Sequence, residues 1–165
     1  MLPMIPLGLP YPLIDIQSGG AHFRFLCTEI PENQTEYTLR QGGIECRFGI
    51  EYEGFGLSAN FGCDITVGNV YAFYRSLDDI YNMLAATQTA MLENYGSLDR
   101  TSLSVSFDER GGCLIAGSFM NRDSRYQSGI RIHMESDQSD ISDSIKAMQR
   151  FFRILAAAQG HFNFY

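Results

Sequence analysis

The sequence predicts an α+β fold: two layers, with a mostly antiparallel sheet of about six or seven strands carrying two helices on one face. Three observations lead there. Several segments alternate apolar and polar residues, the period of a strand with one buried face. Two segments instead place apolar residues every three to four positions, the period of a helix face. Most strand-period segments are joined by short Gly- or Asp-bearing turns, which favours antiparallel neighbours. A sheet with one apolar face must be covered once, and the two helices are the predicted cover.

The chain opens with MLPMIPLGLPYPLIDIQ, interrupted by Pro3, Pro6 and Pro10. Residues 1–20 are read as an extended lead-in, with a short edge strand at Leu13–Ile16, and 21–165 as a single domain. A secretory signal wants a basic start and an unbroken apolar core. No Lys or Arg precedes Arg24, and the prolines break the apolar run. No apolar run approaches the ~18–20 residues that span a bilayer. The expectation is a cytoplasmic protein without a membrane partner.

Phe23, Phe25 and Cys27 alternate with Arg24 and Leu26 as a strand; Tyr37–Arg40 is a further short strand. Ile44, Cys46, Phe48, Ile50 and Tyr52 then oppose Glu45, Arg47, Glu51 and Glu53 across a strand. The next strand carries Phe55, Leu57, Ala59, Phe61, Cys63, Ile65 and Val67 on one face. A tight turn at Gly54-Phe55 keeps both apolar faces together and sets Cys46 opposite Cys63. Two packed thiols are expected there.

From Asn69 the spacing of Val70, Phe73, Tyr74, Leu77, Ile80, Tyr81 and Leu84 is helical, and the helix is expected to run on to about Met91, ending before Gly96. A meander follows: Leu103–Phe107, an Asp108–Gly112 turn, Cys113–Met120 with a candidate bulge at Gly117, a polar loop at Asn121–Ser128, and Gly129–Glu135. Ser136–Asp140 caps the last helix, Gln138–Ala158. Ile141, Ile145, Met148, Phe152 and Leu155 form its apolar face. Asp137, Asp140 and Asp143 lie near the positive end of its dipole, and Lys146, Arg150 and Arg153 lie further toward the negative end.

Composition bounds function. The chain has 165 residues, 45% hydrophobic and 19% charged, with a net charge of −7. This suits one folded domain. An acidic balance argues against nucleic acid and fits a basic partner. Cys27, Cys46, Cys63 and Cys113 are far apart, and neither they nor His22, His133 and His161 have metal-site spacing. No phosphate-loop, nucleophile-elbow or zincin motif occurs. The expectation is no enzyme, no metal and no cofactor.

Joined in order, the pieces resemble a known family. They are F-x-C-x-I-x-V at Phe61–Val67, F-x-x-x-L at Phe73–Leu77, L-S-V-S-F-D-E-R-G-G at Leu103–Gly112, and I-R-I-H-M-E-S-D-Q-S-D-I at Ile130–Ile141. The chain is similar over roughly residues 44–155 to the WapI-type bacterial immunity proteins. The resemblance implies a non-catalytic protein that binds and neutralises a cognate toxin domain. The alternative is a general protein-interaction domain or a small-ligand carrier. The candidate partner-binding face is the polar side of the sheet: Glu45, Arg47, Glu51, Glu53 and Asp64, with Arg131, His133 and Glu135. Oligomeric state is not legible.

Overall fold

The computed structural model describes residues 5–32, 44–83, 88–95, 99–122 and 125–159. Its antiparallel strands form two sheets of four. Strands β1 (Tyr11–Ser18), β2 (Ala21–Glu29), β3 (Arg47–Gly54) and β4 (Leu57–Cys63) make the first, in that order. Helix α1 (Val67–Tyr81) follows. Strands β5 (Thr89–Tyr95), β6 (Asp99–Phe107), β7 (Gly112–Arg122) and β8 (Gln127–Asp137) make the second, and helix α2 (Gln138–Gln159) closes the order. The α+β class and the two helices match expectation; the single sheet of six or seven strands does not.

Two sheets form because each buries a face against the other as well as against the helices. In the first sheet Ile14, Phe25, Ile50 and Phe61 lie in one inward row, by pairing. In the second, Leu92, Leu103, Gly117 and Ile132 do the same. β4 meets β6 and β7, and β1 meets β8. Phe48 sets its ring edge-on to Phe151 of α2, with centroids 6.3 Å apart. Tyr11 on the edge strand β1 donates its hydroxyl to the Ala147 carbonyl of α2 at 2.8 Å. The buried apolar side chains join into one cluster spanning both sheets and both helices.

Strand β5 is the largest departure. The first helix is expected to run on to about Met91, but α1 stops at Tyr81. Asn82 caps its end, and Met83 takes φ 60. Thr89–Tyr95 pairs with β6 from Thr89↔Ser106 to Tyr95↔Arg100, which buries Ala90 and Leu92. The helix formers Ala90, Met91, Leu92 and Glu93 are overridden by that pairing. The start of α1 follows local chemistry: Thr66 Oγ1 accepts from the Asn69 amide at 3.1 Å, and Asn69 Oδ1 accepts from the Thr66 amide at 3.1 Å.

The first-sheet hairpin is displaced by two residues from the expected register. Gly54 pairs with Leu57, and Phe48, not Cys46, faces Cys63. The turn residues are Phe55 and Gly56, with φ 53 and φ 76, as a two-residue turn of the type favoured by twisted hairpins requires. A shift of two keeps every side chain on its face, so the apolar row survives. Cys46 instead hydrogen-bonds Cys27, and this bond, with burial, pushes its thiol pKa well up. All four cysteines are buried thiols outside any disulfide.

Gly117 makes no bulge, since both its ladders run without a register shift. It faces inward, and a Cβ there would stand 2.6 Å from the Phe119 ring. β7 and β8 run longer than expected, to Arg122 and from Gln127, so the connecting loop is shorter. The expected strand Tyr37–Arg40, Leu84 and the tail from Gly160 lie outside the described residues.

Candidate functional site

Packing the two sheets face to face leaves two polar outer faces, and the candidate residues divide between them. Arg47, Glu51 and Glu53 stand on the outer side of β3, while Arg131, His133 and Glu135 stand on that of β8. Glu45 precedes β3. Asp64 follows β4, and its carbonyl accepts from the Asn94 side chain. The single polar face expected of the sequence is thus two surfaces.

The outer face of the first sheet pairs its cations with carboxylates. Arg24 pairs with Glu51 on the adjacent strand, and Arg47 Nη1 lies 2.8 Å from Glu29 Oε2. His22 Nε2 lies 2.5 Å from Asp15 Oδ1. These are cross-strand neighbours or near-neighbours in register, where opposite charges attract. The remaining hollow, about 160 Å³, is lined by His22, Arg24, Glu51, Glu53, Ser58 and Asn60. An anion entering it and meeting Arg24 would have to displace Glu51.

The outer face of the second sheet is built differently. The register sets Met91, Ser104, Ala116 and His133 side by side, and beside them Glu93, Ser102, Ser118 and Arg131. Small side chains on β6 and β7 make a low floor, and the longer Arg131 and His133 stand on edge strand β8. The result is an open trough of about 330 Å³ lined by Ser102, Ser104, Ala116, Ser118, Arg131 and His133. Arg131, His133 and Arg100 make no hydrogen bond or ion pair among the described residues. Sequence reasoning named Arg131 and His133 but missed the serine floor. The alternation of Ser102, Ser104 and Ser106 was visible, but which β7 and β8 residues they meet depends on register.

The remaining acidic cluster has a structural role. Asp137 Oδ1 accepts from the Ser139 hydroxyl and from the backbone N–H groups of Ser139 and Asp140, at 2.8 and 3.3 Å for the latter two. The Ser139 hydroxyl first, then those amides, hold its carboxyl below the usual range. The tyrosines of α1 are packed: Tyr71 and Tyr74 lie against Phe152, with centroids 5.1 and 5.6 Å away. No group of three or more His, Cys, Asp or Glu that could hold a metal ion occurs among the described residues. No helix there is long and apolar enough to cross a membrane.

No family model matches the chain, and no curated protein does. Solved structures align with it, and the first of the following shares its fold. The plant transcriptional regulator PBF-2 aligns over 87% of this chain and 81% of its own, with a TM-score of 0.54 and 10% identity. WHY3 from Arabidopsis thaliana aligns over 88% of this chain and 87% of its own, at TM-score 0.49 and 13% identity. WHY1 from the same plant aligns over 88% and 89%, at 0.46 and 13%.

This likeness overturns the expected immunity protein, its toxin partner and its exclusion of nucleic acid: the architecture is one found in a transcriptional regulator. The physical reason lies in where the charges sit. Net charge is an average over the surface. Carboxylates Asp15, Glu29 and Glu51 are paired with cations, and Asp137 accepts hydrogen bonds at the start of a helix, so part of the acidic excess is engaged locally. Arg131 is the charged side chain that lines the trough, with His133 beside it, and Glu93 stands at the far end of the Arg131 row.

Proposed function

We propose that this chain is a non-catalytic nucleic-acid-binding protein with a regulatory role, which holds a single strand in the trough on its second sheet. The observation that carries the proposal is the pair Arg131 and His133, both unpaired among the described residues, standing beside a floor of small hydroxyl side chains. The fold shared with PBF-2, a transcriptional regulator, supports it.

A flat antiparallel sheet with a low floor lets sugar and base approach the strands closely, and its hydroxyls both donate and accept hydrogen bonds. A guanidinium offers a planar fork to a phosphate and can stack on a base. Because Arg131 breaks no ion pair on binding, its contact with phosphate is not offset by a lost partner. A single strand fits better than a duplex. Duplex carries one charge per roughly 1.7 Å against roughly 3.4 Å for a strand, and a chain of net charge −7 repels the denser array more.

The test is fluorescence anisotropy with single-stranded DNA, single-stranded RNA and duplex probes, at several salt concentrations. Binding to single strands that weakens with salt is expected, with a clear loss of affinity in the Arg131→Gln, His133→Gln double variant at unchanged melting temperature. Failure of the folded protein to bind any strand at low salt would overturn the proposal.

A further inference from the structure

The exposed side of α2 carries Lys146, Arg150 and Arg153, spaced four and three residues apart and therefore in one row. Arg75 on the neighbouring α1 adds a fourth cation: it and Arg153 both act electrostatically on Tyr74. None of the four makes an ion pair among the described residues. Lys146 is the sole lysine of the chain, so the row draws on a small supply of positive charge.

Folding explains this row poorly. Cations toward a helix C-terminus are favourable in the last turn, but Lys146 stands near the middle of a helix that spans Gln138–Gln159 and has no basic residue in its last turn. Like charges three and four apart on a helix repel. Arg75 stands with Asp78 beside Tyr74, and Asp143 lies one turn before Lys146, so carboxylates flank the row while Arg150 and Arg153 remain adjacent like charges. On a protein of net charge −7, a row that is unfavourable for the isolated chain is explained by an anion bound across it.

We infer that this helix face is a second contact track for a nucleic-acid backbone, separate from the sheet trough. The inference rests on the proposed nucleic-acid ligand but not on the trough. Charge complementarity chooses the occupant. Lys146, Arg150 and Arg153 rise along the axis in steps of about 6 and 4.5 Å, a spacing on which successive backbone phosphates can be met by separate cations. Arginine meets phosphate with two parallel hydrogen bonds.

The test compares wild type, Arg131→Gln, and the triple variant Lys146→Gln, Arg150→Gln, Arg153→Gln on one fluorescein-labelled single-stranded DNA. Arg110→Gln serves as a charge control, and circular dichroism checks the fold. The triple variant is expected to lose roughly tenfold or more in affinity. Its log-affinity against log-salt slope should become shallower by about 2, as three lost phosphate contacts imply. Unchanged affinity and slope would overturn the track. So would a triple variant that keeps its DNA affinity but loses binding to polyglutamate, which would assign the row to an acidic polypeptide. A strong loss in Arg131→Gln with none in the triple variant would leave the trough standing and remove the track. The opposite pattern would remove the trough and keep the track.

Discussion

Phe23 of β2 and Phe119 of β7 meet across the two sheets, with ring centroids 6.1 Å apart and planes inclined by 31°. Both are essentially buried, and Gly117 leaves the space along which the Phe119 ring lies. This contact holds the sheets face to face, so both outer faces depend on it. Phe119→Ala is expected to destabilise the fold by about 3–5 kcal/mol in urea denaturation. Gly117→Ala should destabilise it too, by forcing the ring away. A wild-type midpoint for either variant would show that the sheets are held together elsewhere.

Phe55 illustrates a residue that its fold does not favour. It occupies the left-handed region at φ 53 and is 84% exposed at the tip of the β3–β4 hairpin. A bulky side chain there is strained by roughly 1–2 kcal/mol, whereas Asn and Gly tolerate it. Phe55→Asn should therefore raise the unfolding midpoint by the equivalent of about 0.5–1 kcal/mol. A lowered midpoint would mean that the ring makes a stabilising contact.

Asp137 links the end of β8 to the start of α2, and its lowered pKa gives stability a direction with pH. A carboxyl whose folded pKa lies below its unfolded value contributes stability that is fully present above the unfolded value, about 3.9. The contribution fades as pH falls through the depressed folded value. Asp137→Ala should accordingly narrow the difference in stability between neutral and acid solution. Urea titrations of both proteins at the two pH values measure this; equal pH dependence would refute the assignment.

Sequence and structure agree where local physics decides. The Asp137 cap, the buried faces of both helices and the Asp108 turn all follow from neighbours within a few residues. The turn has Asp108 Oδ1 accepting from the Arg110 and Gly112 amides at 2.8 Å each. Thr89–Tyr95 departs from its local signal because Ala90, Met91, Leu92 and Glu93 favour helix, and only pairing with a distant β6 makes them a strand. The hairpin register slipped by two because either Gly54 or Gly56 fits a turn, and side-chain parity cannot tell them apart. The trough was half legible. Arg131 and His133 stood out as the polar side of a strand, but their lack of carboxylate partners depends on which residues the folded sheets bring beside them. Net charge hid this, because it counts Arg24 and Arg131 alike although only Arg24 is neutralised by a neighbour.

The trough reading predicts a sharp asymmetry between two substitutions of equal charge. Ala116 lies on the trough floor, between Ser104 and His133 in register, and Ala116→Glu places a carboxylate where a phosphate or base would sit. Gln17→Glu adds the same charge on the outer face of the first sheet, opposite His22. Both positions face outward, so each should change stability by no more than about 0.5 kcal/mol. If net charge governed binding, the two variants would weaken single-strand affinity equally. If the trough is the site, Ala116→Glu should lose roughly tenfold or more, equivalent to about 1.4 kcal/mol, while Gln17→Glu stays near wild type. The same anisotropy titration reads both. Wild-type affinity in Ala116→Glu would place the strand elsewhere, because a carboxylate set against a phosphate on the trough floor repels it.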